Sequence, residues 1–411
     1  MKKSPAKPAP KSAAAAPAPK AILPAGFRAA GTAAGLKPSG APDMAMFFSD
    51  TPAVLAATFT TNQVRAATVK LDAQRLAEIG AAHGIVVNSG QANACTGPRG
   101  MKDARDMAAL AAAATGVAPE MFLVCSTGRI GVPLRMDLIS GGIRTLAGAL
   151  SPKGGEDAAR AIMTTDTRPK RWTATFDASG VRCRLTGIAK GSGMIAPHMA
   201  TMLAFLMTDA AIDRRAMQKA LSAAVADSFN KISVDGDQST NDTVLFLANG
   251  RAGNTPLRPG QPGWDSFLAA LSAVTSRLAE DMARDGEGAS KLVRLELAGA
   301  KTAVDAEAAV RSVGESLLVK TSWVGTYPNW GRIMDALGYS AARVDETRVD
   351  IAYDGIPAVR RGVATGVAQE KLSAVLAKKE FTISIHLHLG RATARLLTCD
   401  CTKDYVDINC D

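Results

Sequence analysis

The sequence predicts a mixed α/β fold of two domains, with sheets covered by helices. Three observations lead there. At 411 residues the chain can bury a large core and is long enough for about two domains. Short apolar runs with strand character are interspersed with alanine-rich stretches of helical spacing. The two kinds of segment are mixed from end to end, without the strict βαβ succession of a doubly wound sheet and without an internal repeat.

Taken in order, residues 1–23 are mainly Lys, Pro and Ala with almost nothing to bury, which predicts a disordered tail. It has neither the apolar stretch of a secretory signal nor the arginines of a transit peptide. Residues 71–80 and 105–115, rich in alanine with charges to one side, predict helices. Between them GIVVN (84–88) predicts a short buried strand that leaves into the polar loop SGQANACTG. MFLVCS (121–126) predicts another strand, ending at Thr127-Gly128. A helix is predicted over 138–150, strands within 172–185, and an amphipathic helix over 215–228. A strand over 244–249, a surface loop over 253–263 and a long helix over 263–284 follow. Residues 291–298 and 381–389 alternate like strands, and the second would place His386 and His388 on one face.

Composition narrows the function classes. With 47% hydrophobic and 21% charged residues this is the make-up of a soluble globular protein, and no apolar run reaches the roughly 18 residues of a membrane span. The formal charge is +10, but Lys2, Lys3, Lys7, Lys11 and Lys20 supply half of it from the tail. That tail carries no aromatics for base stacking, so neither nucleic acid nor membrane is an expected partner. The six cysteines are scattered, which fits reduced thiols in a cytoplasmic protein. Cys399, Cys401 and Cys410 lack the second pair that a zinc site needs, and no metal or cofactor is expected.

The chemistry concentrates in KGSGMIAPHMATMLAFLMTD (190–209). Its glycines match G-x-G-x-x-A, but Pro197 stands where a dinucleotide-binding helix would have to run. A polar approach reaches Ala200-Thr201 and an apolar run follows. That pattern suits a loop leading into a buried helix. From the residues alone that is the favoured reading, and a threonine displayed at the mouth of a buried element is the alternative. A threonine hydroxyl needs a base beside it, and cutting the chain just before Thr201 would supply one, the new α-amine. The small Ala200 side chain would hinder such a cut very little.

Thr127-Gly128 offers a hydroxyl and a backbone N–H that can face a developing oxyanion, or simply ends a strand. In SVDGDQSTNDT (233–243), Asp235, Asp237 and Ser239 are spaced like the start of a calcium loop. Gly236 is misplaced and the closing glutamate is missing, so local turn hydrogen bonds are expected instead. Glu287 in DGEGASK can hold a substrate amine or be solvated. PNWGRI (328–333) reads as packing or as a pocket wall. No Ser-His-Asp set can be assembled, and His198 reads as structural or solvated.

Ten segments in order resemble the ornithine acetyltransferase family: PAGFRAAGTAAGLK (24–37), FTTNQVRAA (59–67), VVNSGQANACTG (86–97), STGRIG (126–131), TTDTRPK (164–170), KGSGMIAPHMATMLAFLMTDA (190–210), SVDGDQSTNDT (233–243), DGEGASK (285–291), PNWGRI (328–333) and DYVDIN (404–409). The resemblance implies a fold loosely like N-terminal nucleophile hydrolases. It implies self-cleavage between Ala200 and Thr201 into an α piece (24–200 after the tail) and a β piece (201–411), assembled as α2β2. Thr201 would then be the nucleophile, Thr127 and Gly128 the oxyanion hole, and Thr164, Lys190, Thr201, Glu287 and Asn409 the substrate contacts. The implied reaction, in arginine biosynthesis, moves acetyl from N2-acetylornithine to glutamate, with acetyl-CoA a further donor in bifunctional members. Lys190 would pair with a substrate carboxylate. A side chain at Gly128 would cost turnover far more than folding.

Two departures stand out. Tyr327 occupies a place where Asp or another small polar residue is expected. Family chains also continue a few residues past the position of Asp411, to a substrate-contacting Ser or Thr. The competing readings are an amidohydrolase or aminopeptidase on the same scaffold, and a non-catalytic relative.

Overall fold

The structure is a computed structural model and describes residues 17–196 and 202–410. The first sheet comprises β1 (Phe27–Thr32), β2 (Met44–Phe59), β3 (Ala81–Gln91), β4 (Phe122–Arg129), β5 (Lys170–Ala178), β6 (Val181–Lys190), β7 (Leu203–Thr208) and β8 (Thr243–Ala248). Its order is β4-β3-β2-β8-β7-β6-β5, with β1 paired to β2. The β3–β4 and β7–β8 pairs are parallel.

Every residue of β7 and β8 is buried. Strands covered on both faces need no alternation, so the run after position 201 forms a central strand and not a buried helix. Helices α1 (Ala67–Glu78), α2 (Gly97–Thr115) and α3 (Met136–Ala149) close over the β2–β4 end, burying Leu71, Met107 and Ile139 against Met46, Val86 and Val124. The helix expected from 105 starts at Gly97, with proline in its first turn, where the missing N–H costs nothing. Helix α4 (Gly155–Ala161) packs beside β1 and β2. Helices α5 (Arg214–Ala226) and α6 (Trp264–Arg284) cover the β5–β8 end, with Met217, Phe267 and Leu278 against Leu185, Leu206 and Phe246.

The boundary expected for the tail at residue 23 falls inside packed chain. Ala18 bridges Thr173 of β5 through two backbone bonds of 2.8 and 2.9 Å, and Ala21 and Leu23 join the core. Residue 18 thereby occupies donors and acceptors that β5 would leave open as an edge strand.

The second sheet follows α6. It comprises β9 (Leu292–Ala300), β10 (Asp350–Tyr353), β11 (Ile356–Arg360), β12 (Val363–Ala364), β13 (Glu380–His386) and β14 (Ala392–Cys399), in the order β12-β11-β10-β13-β9-β14. Its core takes residues from α7 (Ala303–Glu315), α8 (Leu317–Val324), α9 (Trp330–Gly338) and α10 (Gln369–Leu376). A last helix, α11 (Lys403–Asn409), returns toward the first sheet's end, where the Tyr405 and Asp404 backbone meets Gly288. Two sheets covered by helices are the architecture the sequence predicts. Among the described residues no helix is long and apolar enough to cross a membrane.

One detail differs from expectation. The strand over 381–389 ends at His386, and His388 lies beyond it at φ 52°. The two histidines therefore do not alternate on one strand face. Their rings instead stand 3.7 Å apart, with His388 Nε2 3.0 Å from Asp350. PNWGRI opens α9: the Asn329 side chain caps it, and Trp330 packs on the second core.

The expected α and β pieces do not coincide with the two sheets. Position 200–201 lies in sequence between β6 and β7, which pair antiparallel inside the first sheet. A cut there leaves β7 and β8 of the second piece hydrogen-bonded between β2 and β6 of the first. The division between sheets comes later, between α6 and β9.

Candidate active site

The parallel pairing of β3 with β4 sets Thr127 opposite Ser89 and Gly128 opposite Gly90. Thr127 is buried and Gly128 sits at φ 130°. A Cβ at 128 would lie 2.3 Å from the Gly90 carbonyl carbon, so only glycine fits. The expectation that a side chain there would spare folding is corrected: it would collide with the neighbouring strand's backbone.

Lys190 ends β6 and reaches the same place. Its Nζ donates to Thr164 Oγ1 at 2.7 Å and to Thr127 Oγ1 at 3.4 Å, and lies 4.0 Å from Asp166 Oδ2. Burial pushes its ammonium below the usual lysine range. Asp166 opposes that shift, Lys170 adds to it, and Glu287 and Asp242 oppose it again. Asp166 accepts from Gly191 N at 2.7 Å, Thr164 N at 3.1 Å and Lys170 Nζ at 2.6 Å. Burial disfavours its charge, yet Lys170, Lys190 and the Gly191 N–H together hold its carboxyl well below the ordinary range. Lys170, fully buried, makes its second bond, also 2.6 Å, to Asp285 Oδ2.

Glu287 follows two residues later. It is only 8% exposed, so it is not a solvated turn residue. Its N–H donates to Ser192 O at 2.8 Å, and its Oε2 accepts from Asn409 Nδ2 at 2.8 Å. A Cβ at Gly193 would stand 2.2 Å from the Glu287 carboxyl, which accounts for the second glycine of GSG. Thr165 and Ser192 join their hydroxyls at 2.8 Å.

The 233–243 segment does more than form local turns. Asp235 accepts from the Met194 N–H, and from Ile195 N at 2.8 Å, holding the approach to the junction. The Asn241 amide donates to Ala92 O at 2.6 Å and Ser126 O at 2.7 Å, tying the exits of β3 and β4. Asp242, fully buried, accepts from Met202 N at 2.9 Å. Burial drives its carboxyl well above the ordinary range, opposed by that N–H and by Lys190.

One end of the site thus offers a cation and hydroxyls at the strand ends, the other a shielded carboxylate. Such a pair suits a small molecule carrying both an anionic and a cationic group.

The family model described as the ArgJ family matches residues 28–411. The chain belongs to the ArgJ family. The arginine biosynthesis bifunctional protein ArgJ of Symbiobacterium thermophilum is 50% identical over 388 residues, covering 94% of this chain and 96% of that one. The protein of the same name from Geobacter sulfurreducens is 48% identical over 387 residues, covering 94% and 98%. Among solved structures, ornithine acetyltransferase complexed with ornithine from Mycobacterium tuberculosis is 43% identical, covers 43% of this chain and 94% of that chain, and has a TM-score of 0.41. The family read from the ten segments is borne out.

In this ArgJ-family chain, Thr127, Gly128, Thr164 and Lys190 meet at the ends of β4 and β6, while Glu287 and Asn409 meet beside Ser192 and Gly193. Ala200 and Thr201, with His198, lie outside the described residues. Tyr327 is exposed in the α8–α9 loop. Sequence reasoning missed the supporting roles of Asp166, Lys170, Asp285, Asp235, Asn241 and Asp242. All six sit inside quoted motifs, and Asp166 and Lys170 show the i, i+4 spacing of an ion pair. A groove of about 710 Å³ on the second sheet, lined in part by Asp350, His386, His388 and Arg395, contains none of these residues.

Proposed function

We propose that this ArgJ-family enzyme cuts itself before Thr201 and then moves an acetyl group from N2-acetylornithine to glutamate through an acetyl-Thr201 intermediate. The observation that carries the reading is the meeting of Thr127, Thr164 and Lys190 at the strand ends, with Asp242 reaching the peptide N–H of the residue after Thr201.

The chemistry balances. In the precursor the Thr201 hydroxyl attacks the Ala200 carbonyl, and the C–N bond breaks to leave an ester. Water then splits the ester into the Ala200 carboxylate and a free Thr201 α-amine. That amine takes the hydroxyl proton as Thr201 Oγ1 attacks the acetyl carbon of the donor. The oxyanion faces Thr127 and Gly128. Lys190 has only hydrogens to give, so Thr127 Oγ1 accepts from it and keeps its own hydrogen for the oxyanion. Collapse breaks the C–N bond, the proton passes to nitrogen, and ornithine leaves. The neutral α-amine of glutamate then attacks the acetyl ester and restores the threonine hydroxyl. One amide replaces another, so no energy source is consumed.

Lys190 serves the carboxylate that both amino acids share, and Glu287 a substrate ammonium. The interleaving of β7 and β8 with β2 and β6 supports lasting association of the cut pieces. The same reading takes the enzyme as an α2β2 assembly acting in the cytoplasm.

Initial rates with both substrates varied test the reading. Parallel double-reciprocal lines are expected, and mass spectrometry with donor alone should find one acetyl group on the C-terminal piece. Intersecting lines without an adduct would rule out the acyl-threonine route. Release of free acetate in place of acetylglutamate would mark a hydrolase. Acetyl-CoA in place of acetylornithine asks whether a second donor is used.

A further inference from the structure

We propose that Asp166 and Lys170 are positioning residues: the buried alternating chain Asp285–Lys170–Asp166–Lys190 sets Asp166 beside the Lys190 ammonium as its counter-ion and fixes Lys190 relative to the Glu287 turn. The inference rests on the reading of Lys190 as the partner of the substrate carboxylate.

The four side chains are at most 5% exposed. Removing such ions from water costs several kcal/mol each, and apolar residues of similar volume are often as stable, so core stability alone is a weak reason for them. Their placement gives a better one. Lys170 is the first residue of β5, Lys190 the last of β6, and Asp285 the C-cap of α6. Each of these three element ends therefore stands on one ion chain. Further bonds lock it: Thr164 N and Gly191 N onto Asp166, and Thr167 N with the Thr167 hydroxyl onto Asp285. Thr164, whose hydroxyl receives Lys190, is itself held by Asp166. Glu287, two residues past Asp285, inherits its position from the same anchor.

The charged groups facing Lys190 are Asp166 and Lys170, then Glu287 and Asp242, with Lys37 also within its field. Asp166 favours the cation and Lys170 disfavours it. Removing one charge or the other should therefore move the titration of Lys190 in opposite directions. A merely structural role would not do so, because both changes would simply lower the yield of folded protein.

The test uses the cut, full-length protein and follows acetylation of the enzyme by N2-acetylornithine against pH, by mass spectrometry. Asp166→Asn keeps the shape and an acceptor for Gly191 or Thr164. Its alkaline limb should fall by about one pH unit or more, the shift that loss of an opposite charge at this range produces. The donor's KM should rise while kcat changes little. The double variant Lys170→Met/Asp285→Asn removes one charge of each sign, and its limb should move up. Thermal denaturation reports folding for each. If Asp166→Asn does not fold, the double variant decides alone. Limbs displaced in the same direction, or unmoved in folded protein, would overturn the proposal. Lys190→Met separates the two levels: it should abolish the limb and weaken both amino acids. If it does, and the other variants leave the limb in place, the ion chain fails alone. If it does not, the reading of Lys190 fails first.

Discussion

Thr201→Ala is expected to leave the chain in one piece and to abolish acetyl transfer. A methyl group can attack neither the Ala200 carbonyl nor an acetyl carbon, and loss of a nucleophile acts on the scale of about 10⁶ in turnover. Intact mass reports the first effect and acetylglutamate formation the second. In the unaltered protein the second fragment should begin TMLAF. Folding should change little. The next residue, Met202, is held by Asp242 at its N–H and by Thr243 N at its carbonyl, at 2.9 and 3.1 Å, independently of the threonine side chain. Thr201→Ser keeps a hydroxyl and should retain part of the cleavage. The two pieces of the unaltered enzyme should elute together and part only in denaturant, because β7 and β8 are interior strands. Active protein that stays uncut would sink the central claim, as would two fragments from Thr201→Ala.

Much of this architecture is legible in sequence where one physical signal dominates. The strands around 84–88, 121–126 and 244–249 announce themselves as short apolar runs, and α6 by its long helical period. The signal fails where two causes overlap. LAFLMT is buried on both faces, so strand and helix leave the same apolar run. In β2 the register breaks between Phe48 and Ala53, across SDTP, which interrupts the alternation, and no strand is predicted over 44–59. Residue 18 looks like tail because its contribution is backbone pairing, which composition does not reveal.

The candidate site divides the same way. Its motifs were visible, and they delivered the family. The physics beneath them was hidden, because a sequence does not say which charges are buried. Nothing in the sequence marks Asp166, Lys170 and Asp285 as a group until the start of β5 and the end of α6 bring both carboxylates to 2.6 Å from the Lys170 ammonium. Asp235 reads as a turn former until Met194 and Ile195 are found donating to it from across the fold.

Thr127→Val should lower kcat by about 10² to 10³, the effect of deleting one oxyanion donor, with KM nearly unchanged. The replacement keeps the branched shape at a buried position and removes only the hydroxyl. Lys190 loses its 3.4 Å contact but keeps the stronger one to Thr164 at 2.7 Å, so the cation should stay in place for the substrate carboxylate. That separation is what makes Thr127 the better probe than Gly128. A side chain at 128 meets the Gly90 backbone at 2.3 Å and would disturb the β3–β4 pairing along with any oxyanion contact. Self-cleavage passes through a tetrahedral oxyanion as well, so its rate in Thr127→Val reports whether one donor serves both reactions. Slowed turnover with normal cleavage would confine Thr127 to acetyl transfer. Unchanged kcat in folded, fully cut protein would remove its hydroxyl from the mechanism.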